Sequence, residues 1–177
     1  MPASLATDPD YLTSEALTPW RRQSPPLAGH ARTSAKYRRH MVQLPDGVLY
    51  IELAGDADEP AWLLPALGAL SELGALPENW NSYGARRIGI HAVAGVAKLL
   101  SLIMTDTTPL PAFVPTQAGG IQIEWHERGI DLEIEVAPTA TYRAALEDSS
   151  AGVDWAGDVT SDLRPLRRAL VTLAGSN

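Results

Sequence analysis

The chain contains no cysteine, which removes disulfides, thiolate metal sites and a cysteine nucleophile and fits a reducing, cytoplasmic setting. It also has no long apolar run. The best stretch, Ile88 to Met104, is interrupted by Gly89, His91, Gly95, Lys98 and Ser101 and is too short and too polar to span a bilayer. Met1 to Trp20 shows no basic segment followed by an apolar one, so it does not read as a signal peptide. The expectation is a soluble protein with no membrane association. Recognisable catalytic motifs are missing as well. No Gly-x-Ser-x-Gly elbow occurs, and no lysine follows Gly119-Gly120 to make a phosphate loop. His30 and His40 fall in a stretch without an obvious carboxylate partner. No residue set is therefore assigned as catalytic, as metal ligands or as a cofactor site.

What is present is enough for one domain with an appendage. The 177 residues are 45% apolar, an ordinary value for a globular chain, and the 14 prolines and 14 glycines announce many turns. Arginine greatly outnumbers lysine, and alanine and leucine are abundant, a composition that suits a GC-rich bacterial genome. The net charge of −7 is unevenly spread: residues 1–45 carry six basic residues against three acidic ones, and the remainder eight against eighteen. A basic arm on an acidic body is the pattern of an interaction tail. Residues 1–40 are rich in helix breakers and lack periodicity, which predicts an irregular arm, with Arg21, Arg22, Arg38 and Arg39 as its contact residues. The domain proper is expected over 41–177.

Within that domain, Pro45-Asp46-Gly47 is a turn signal followed by a strand in which Leu49, Ile51 and Leu53 alternate with Val48, Tyr50 and Glu52. Leucines at 63, 67, 70 and 73 predict a helix near 63–76 with Pro60 or Pro65 in its first turn. A second apolar stripe predicts a helix over 91–104. A third, with Ser161 as N-cap, Pro165 in the first turn and Gly175 as terminator, predicts a helix over 161–174. Phe113 and Val114 begin an extended segment, Tyr142 to Leu146 form a short strand, and Glu147 to Gly157 read as a polar loop around Trp155.

The plainest element is a hairpin. Ile121, Ile123 and Trp125 alternate with polar residues, as do Ile130, Leu132, Ile134 and Val136, and Arg128-Gly129 lies between the two runs. A two-residue turn there pairs Glu127 with Ile130, Trp125 with Leu132, Ile123 with Ile134 and Ile121 with Val136, because a slip of one residue would expose every apolar side chain. The fold class is therefore α+β: an antiparallel sheet centred on this hairpin, packed on one face by about three helices.

The same register places His126 opposite Asp131, Glu124 opposite Glu133 and Gln122 opposite Glu135. Like charges directly opposite each other are destabilising. Three explanations are open. The face is solvated and screened, or a cation or basic partner neutralises it, or one carboxyl is held protonated as acid–base catalysis requires. A second candidate is the loop containing Trp80 and Tyr83, whose residues either line a site or make local turn and capping bonds.

The segments Leu76-Pro77-Glu78-Asn79-Trp80-Asn81-Ser82-Tyr83-Gly84-Ala85 and Val114-Pro115-Thr116, then Gly119 to His126 and Asp131 to Glu135, resemble a family of small bacterial proteins with no settled activity. The resemblance covers residues 76–136 and implies a shared domain without implying a chemistry.

These observations lead to the expectation of a non-enzymatic interaction or accessory module, of the kind found in bacterial assemblies or toxin and defence systems. Its partner would be a protein with a basic surface, met by Glu124, His126, Asp131, Glu133 and Glu135 with Trp80 and Tyr83. The alternatives are a metal-dependent or acid–base hydrolase on the acidic hairpin face, and nucleic-acid binding through the arm.

Overall fold

The computed structural model describes residues 37–54, 58–160 and 162–175. The first element is a hairpin of β1 (Tyr37–Leu44) and β2 (Gly47–Ala54), paired from Tyr37 with Ala54 to Leu44 with Gly47. Its connection is Pro45-Asp46; Leu49, Ile51 and Leu53 are half-buried on the side of the buried Val42 and Leu44, while on the other side Tyr50 and Glu52 are exposed and Val48 is half-buried. β1 starts at Tyr37, inside the stretch expected to be irregular. Tyr37, Arg38 and Arg39 have no apolar alternation to announce a strand; pairing with β2 supplies the order that their own pattern does not.

Helices α1 (Leu63–Gly74) and α2 (Ile90–Ile103) follow. Pro65 lies in the first turn of α1, where a missing N–H costs little. Gly74 ends α1 against β1: a Cβ there would stand 2.0 Å from Leu44 Cδ2, so any larger residue would force the buried leucine to move. α2 buries Ala92, Val93, Val96, Leu99, Leu100 and Ile103 on one stripe. Its first turn is capped from a distance, with the Ile90 N–H donating to Asp46 Oδ2 at 2.9 Å, which ties the β1–β2 turn to the positive end of the helix.

The second sheet has five antiparallel strands in sequence order: β3 (Ala112–Pro115), β4 (Ile121–Glu127), β5 (Ile130–Val136), β6 (Tyr142–Asp148) and β7 (Val153–Val159). The hairpin β4–β5 has the register expected from parity at every pair. Its turn residues Arg128 and Gly129 have φ of 57° and 76°, the left-handed pair that matches the twist of a two-residue hairpin. Across the inner face Trp125, Leu132, Leu146 and Trp155 form one row and Ile121, Val136, Tyr142 and Val159 another. These rows, with α2 and then α3 (Arg164–Ala174), close one hydrophobic core. Trp125 is buried in it at 2% exposure, and its indole N–H donates to the Pro109 carbonyl at 2.8 Å.

Two sequence expectations are corrected. Residues 147–157 are not a loop: β6 runs on to Asp148, and Val153 begins a fifth strand. Asp148 holds the intervening turn, accepting from the Ser150 hydroxyl at 2.6 Å, the Ser150 N–H at 3.0 Å and the Ala151 N–H at 2.9 Å. These bonds, the hydroxyl's first, pull its carboxyl below the usual range. α3 begins at Arg164 rather than at 161; Ser161 lies outside the described residues. Leu163 stands at the N-cap position and offers no side-chain cap; Asp162, one residue earlier, accepts from the Arg164 N–H at 3.1 Å and from its guanidinium at 2.8 and 2.7 Å. That guanidinium is the main reason its carboxyl is pulled down to about 2. Pro165 and Gly175 play their expected parts at the two ends of α3.

Candidate functional site

On β4 and β5 the side chains that point away from the core are Gln122, Glu124 and His126, facing Glu135, Glu133 and Asp131. The imidazole of His126 bridges two of the acids: Nε2 lies 3.3 Å from Glu124 Oε2 and Nδ1 lies 2.9 Å from Asp131 Oδ1. The bond to Glu124, followed by the influence of Asp131, raises the imidazole pKa above its ordinary 6.5. Glu133 accepts from Gln122 Nε2 at 2.9 Å. Polar neighbours therefore partly offset the repulsion between Glu124 and Glu133.

The fourth and fifth strands extend this face. β6 adds Arg143, Ala145 and Glu147, and β7 adds Asp158, Ala156 and Asp154, each in register with the residue before it. Seven carboxylates thus share one side of the sheet with Arg143 and His126. The paired alanines leave a shallow hollow of about 180 Å³, edged by Gln122, Glu133, Glu135 and Arg143. The pattern of β6 and β7 does not place Arg143, Glu147, Asp154 and Asp158 on this face, because these strands are as long as β4 and β5 but carry few large apolar residues in alternation. The parity of Glu135 pairing onward to Arg143 was the signal available.

Glu124, His126 and Glu133 also offer three ligand atoms within 4.8 Å of one another. A divalent ion needs a deprotonated imidazole, whereas Glu124 and Asp131 hold His126 toward its protonated form. Both ring nitrogens are already engaged by carboxylates. An ion bound there would displace the contacts that His126 makes with Glu124 and Asp131.

Trp80 and Tyr83 lie elsewhere. Their loop is built by its own amides: Asn79 Oδ1 accepts from the Gly84 N–H at 2.6 Å, and Asn81 Oδ1 accepts from Tyr83 at 2.8 Å and from Ala85 at 3.1 Å. Asn79 and Ser82 adopt φ of 60° and 63°, conformations that asparagine tolerates better than most residues. The loop is fastened to the β3–β4 turn, with the Arg86 N–H donating to the Gln117 carbonyl at 3.0 Å and Gln117 Nε2 donating to the Tyr83 carbonyl at 3.2 Å. The Trp80 loop thus lies against the turn that leads into β4. Trp80 is half-buried and Tyr83 is 85% exposed. Among the described residues, no hydrogen bond or ion pair joins either aromatic to the acidic face, so the structure does not bring these two candidates together.

Of the residues given to the arm, Arg21 and Arg22 lie outside the described residues. Arg38 and Arg39 are on β1. Arg39 donates from Nε to Glu52 at 2.9 Å and stands 5.2 Å from the centroid of the Tyr50 ring, so it is spent on its own hairpin. His40, also on β1, does have a carboxylate beside it: Nε2 is 3.0 Å from Glu59 Oε2, off the hydrogen-bonding direction.

Among the described residues no helix is long and apolar enough to cross a membrane. Comparison with protein families, with curated proteins and with solved structures finds no match.

Proposed function

We propose that the protein is a non-enzymatic interaction module whose acidic sheet face binds another protein through a basic surface, as an accessory part of a bacterial assembly or a toxin or defence system. The observation that carries this reading is the concentration of seven carboxylates against one arginine and one histidine on an open face. A field of one sign steers an oppositely charged partner and selects against others. The same field repels a phosphate backbone, which places nucleic acid behind a basic protein for this surface.

The test is capture of a partner from host lysate at low and high salt, with the wild type and with Glu124→Lys, Glu133→Lys and Glu135→Lys combined. The partner should be retained at low salt, released at high salt and absent from the variant. Equal capture by the variant would sink the proposal. The proximity of Glu124, His126 and Glu133 supports a second reading, a metal-dependent hydrolase. Melting with Mg²⁺, Mn²⁺, Ca²⁺ and Zn²⁺ tests it, since an ion that binds only the native state must raise the transition.

A further inference from the structure

The five-stranded sheet has two edges, and they are built differently. β3 is four residues long, is preceded by Pro111 and ends in Pro115. Proline cannot donate to a ladder, so this edge is closed to further pairing. β7 is seven residues long and contains neither proline nor lysine. Among the described residues no strand pairs with its outer side.

The two faces of β7 set what could join it. Toward the helices, Val153 remains 39% exposed and Trp155 is half-buried. They open onto a cleft of about 410 Å³ whose far wall is Pro165 and Ala169 of α3. The cleft is apolar at Leu146, Val153, Trp155, Pro165 and Ala169 and charged at Asp148, Asp162, Arg164 and Arg168, of which Asp162 and Arg164 pair with each other. On the other face, Asp154 and Asp158 flank Ala156.

We propose that β7 is a docking edge that receives an extended segment of a partner protein as a sixth strand, with basic residues alternating with apolar ones. The apolar residues would enter the cleft beside Trp155, and the arginines or lysines would meet Asp154 and Asp158. Backbone pairing gives such additions their affinity and alternate side chains give them their specificity. A second copy of this chain is a poor occupant. Antiparallel pairing of two full-length β7 strands sets Asp154 against Asp158 twice, and like charges directly opposite destabilise. The inference rests on the acidic face being the contact surface and specifies the form of the segment that binds there.

The full chain is titrated with a synthetic peptide of alternating arginine and valine, and with a peptide of the same composition in which the arginines and valines form separate blocks. Binding is followed by calorimetry and by amide hydrogen exchange. The alternating peptide should bind at least about tenfold more tightly than the blocked one and protect the outward amides of 153–159. Asp154→Arg combined with Asp158→Arg should weaken the alternating peptide by about tenfold or more and shift preference to a glutamate–valine peptide. Equal binding of the two arginine peptides without protection of β7 overturns the edge and leaves the acidic-face reading standing. Binding of neither peptide at low salt overturns both.

Discussion

Replacing Glu133 by glutamine should stabilise the isolated protein, and the size of the gain follows from the geometry. A Glu133 oxygen lies within 4.8 Å of one from Glu124. Two unit charges at that separation repel by roughly 0.9 kcal/mol in a water-like dielectric. The Glu124 side chain is only 20% exposed, so the medium screens less than bulk water, while the hydrogen bond from His126 to Glu124 offsets part of the repulsion. Glutamine keeps an oxygen to accept from Gln122, so little else is lost. The expected gain is about 0.5–1 kcal/mol, or roughly 1–4 °C in Tm for a domain of this size. It should be larger at the alkaline end of the His126 titration, which is shifted above 6.5, than at about pH 5.5, and should fade at ~1 M salt, where the Debye length is ~3 Å. Urea unfolding at the two pH values and at low and high salt measures all three. A loss of stability at low salt and high pH would refute the reasoning, because it would mean that Glu133 is held by attraction rather than tolerated against repulsion. The gain in stability should coincide with weaker partner binding, which is the mark of carboxylates kept for contact.

Three further outcomes can be checked in the same way. His126 has a raised pKa in the folded state, so its contribution to stability is fully present below about 6.5, the unfolded value, and is lost as pH rises through the folded value; His126→Gln should flatten the stability profile there, and NMR titration of the wild-type ring should give a midpoint above 6.5. Asp46→Ala removes the side-chain acceptor at the start of α2 and should cost about 1 kcal/mol in denaturant unfolding. Arg128→Asn places a residue that tolerates left-handed backbone at φ 57° and should stabilise by up to about 1 kcal/mol, provided that NMR shows the β4–β5 register unchanged by the substitution.

The sequence by itself determined the hairpin 121–136, its register, the opposition of Glu124 to Glu133 and the three helix stripes. Each is a local property. Two-residue alternation around a two-residue turn leaves one register that buries Trp125, Leu132, Ile123 and Ile134 together, and helical spacing needs no distant partner to be read. Only the tertiary structure decided that Val153–Val159 is a strand, since its pattern is thin and its order comes from pairing with β6. It also decided that Arg38 and Arg39 belong to β1 and that the Trp80 loop lies against the turn after β3 rather than beside the acids. The acidic face was half legible for the same reason. Glu124 and Glu133 are neighbours across one tight turn, whereas Glu147, Asp154 and Asp158 reach the same face only through strand pairings that no local pattern announces.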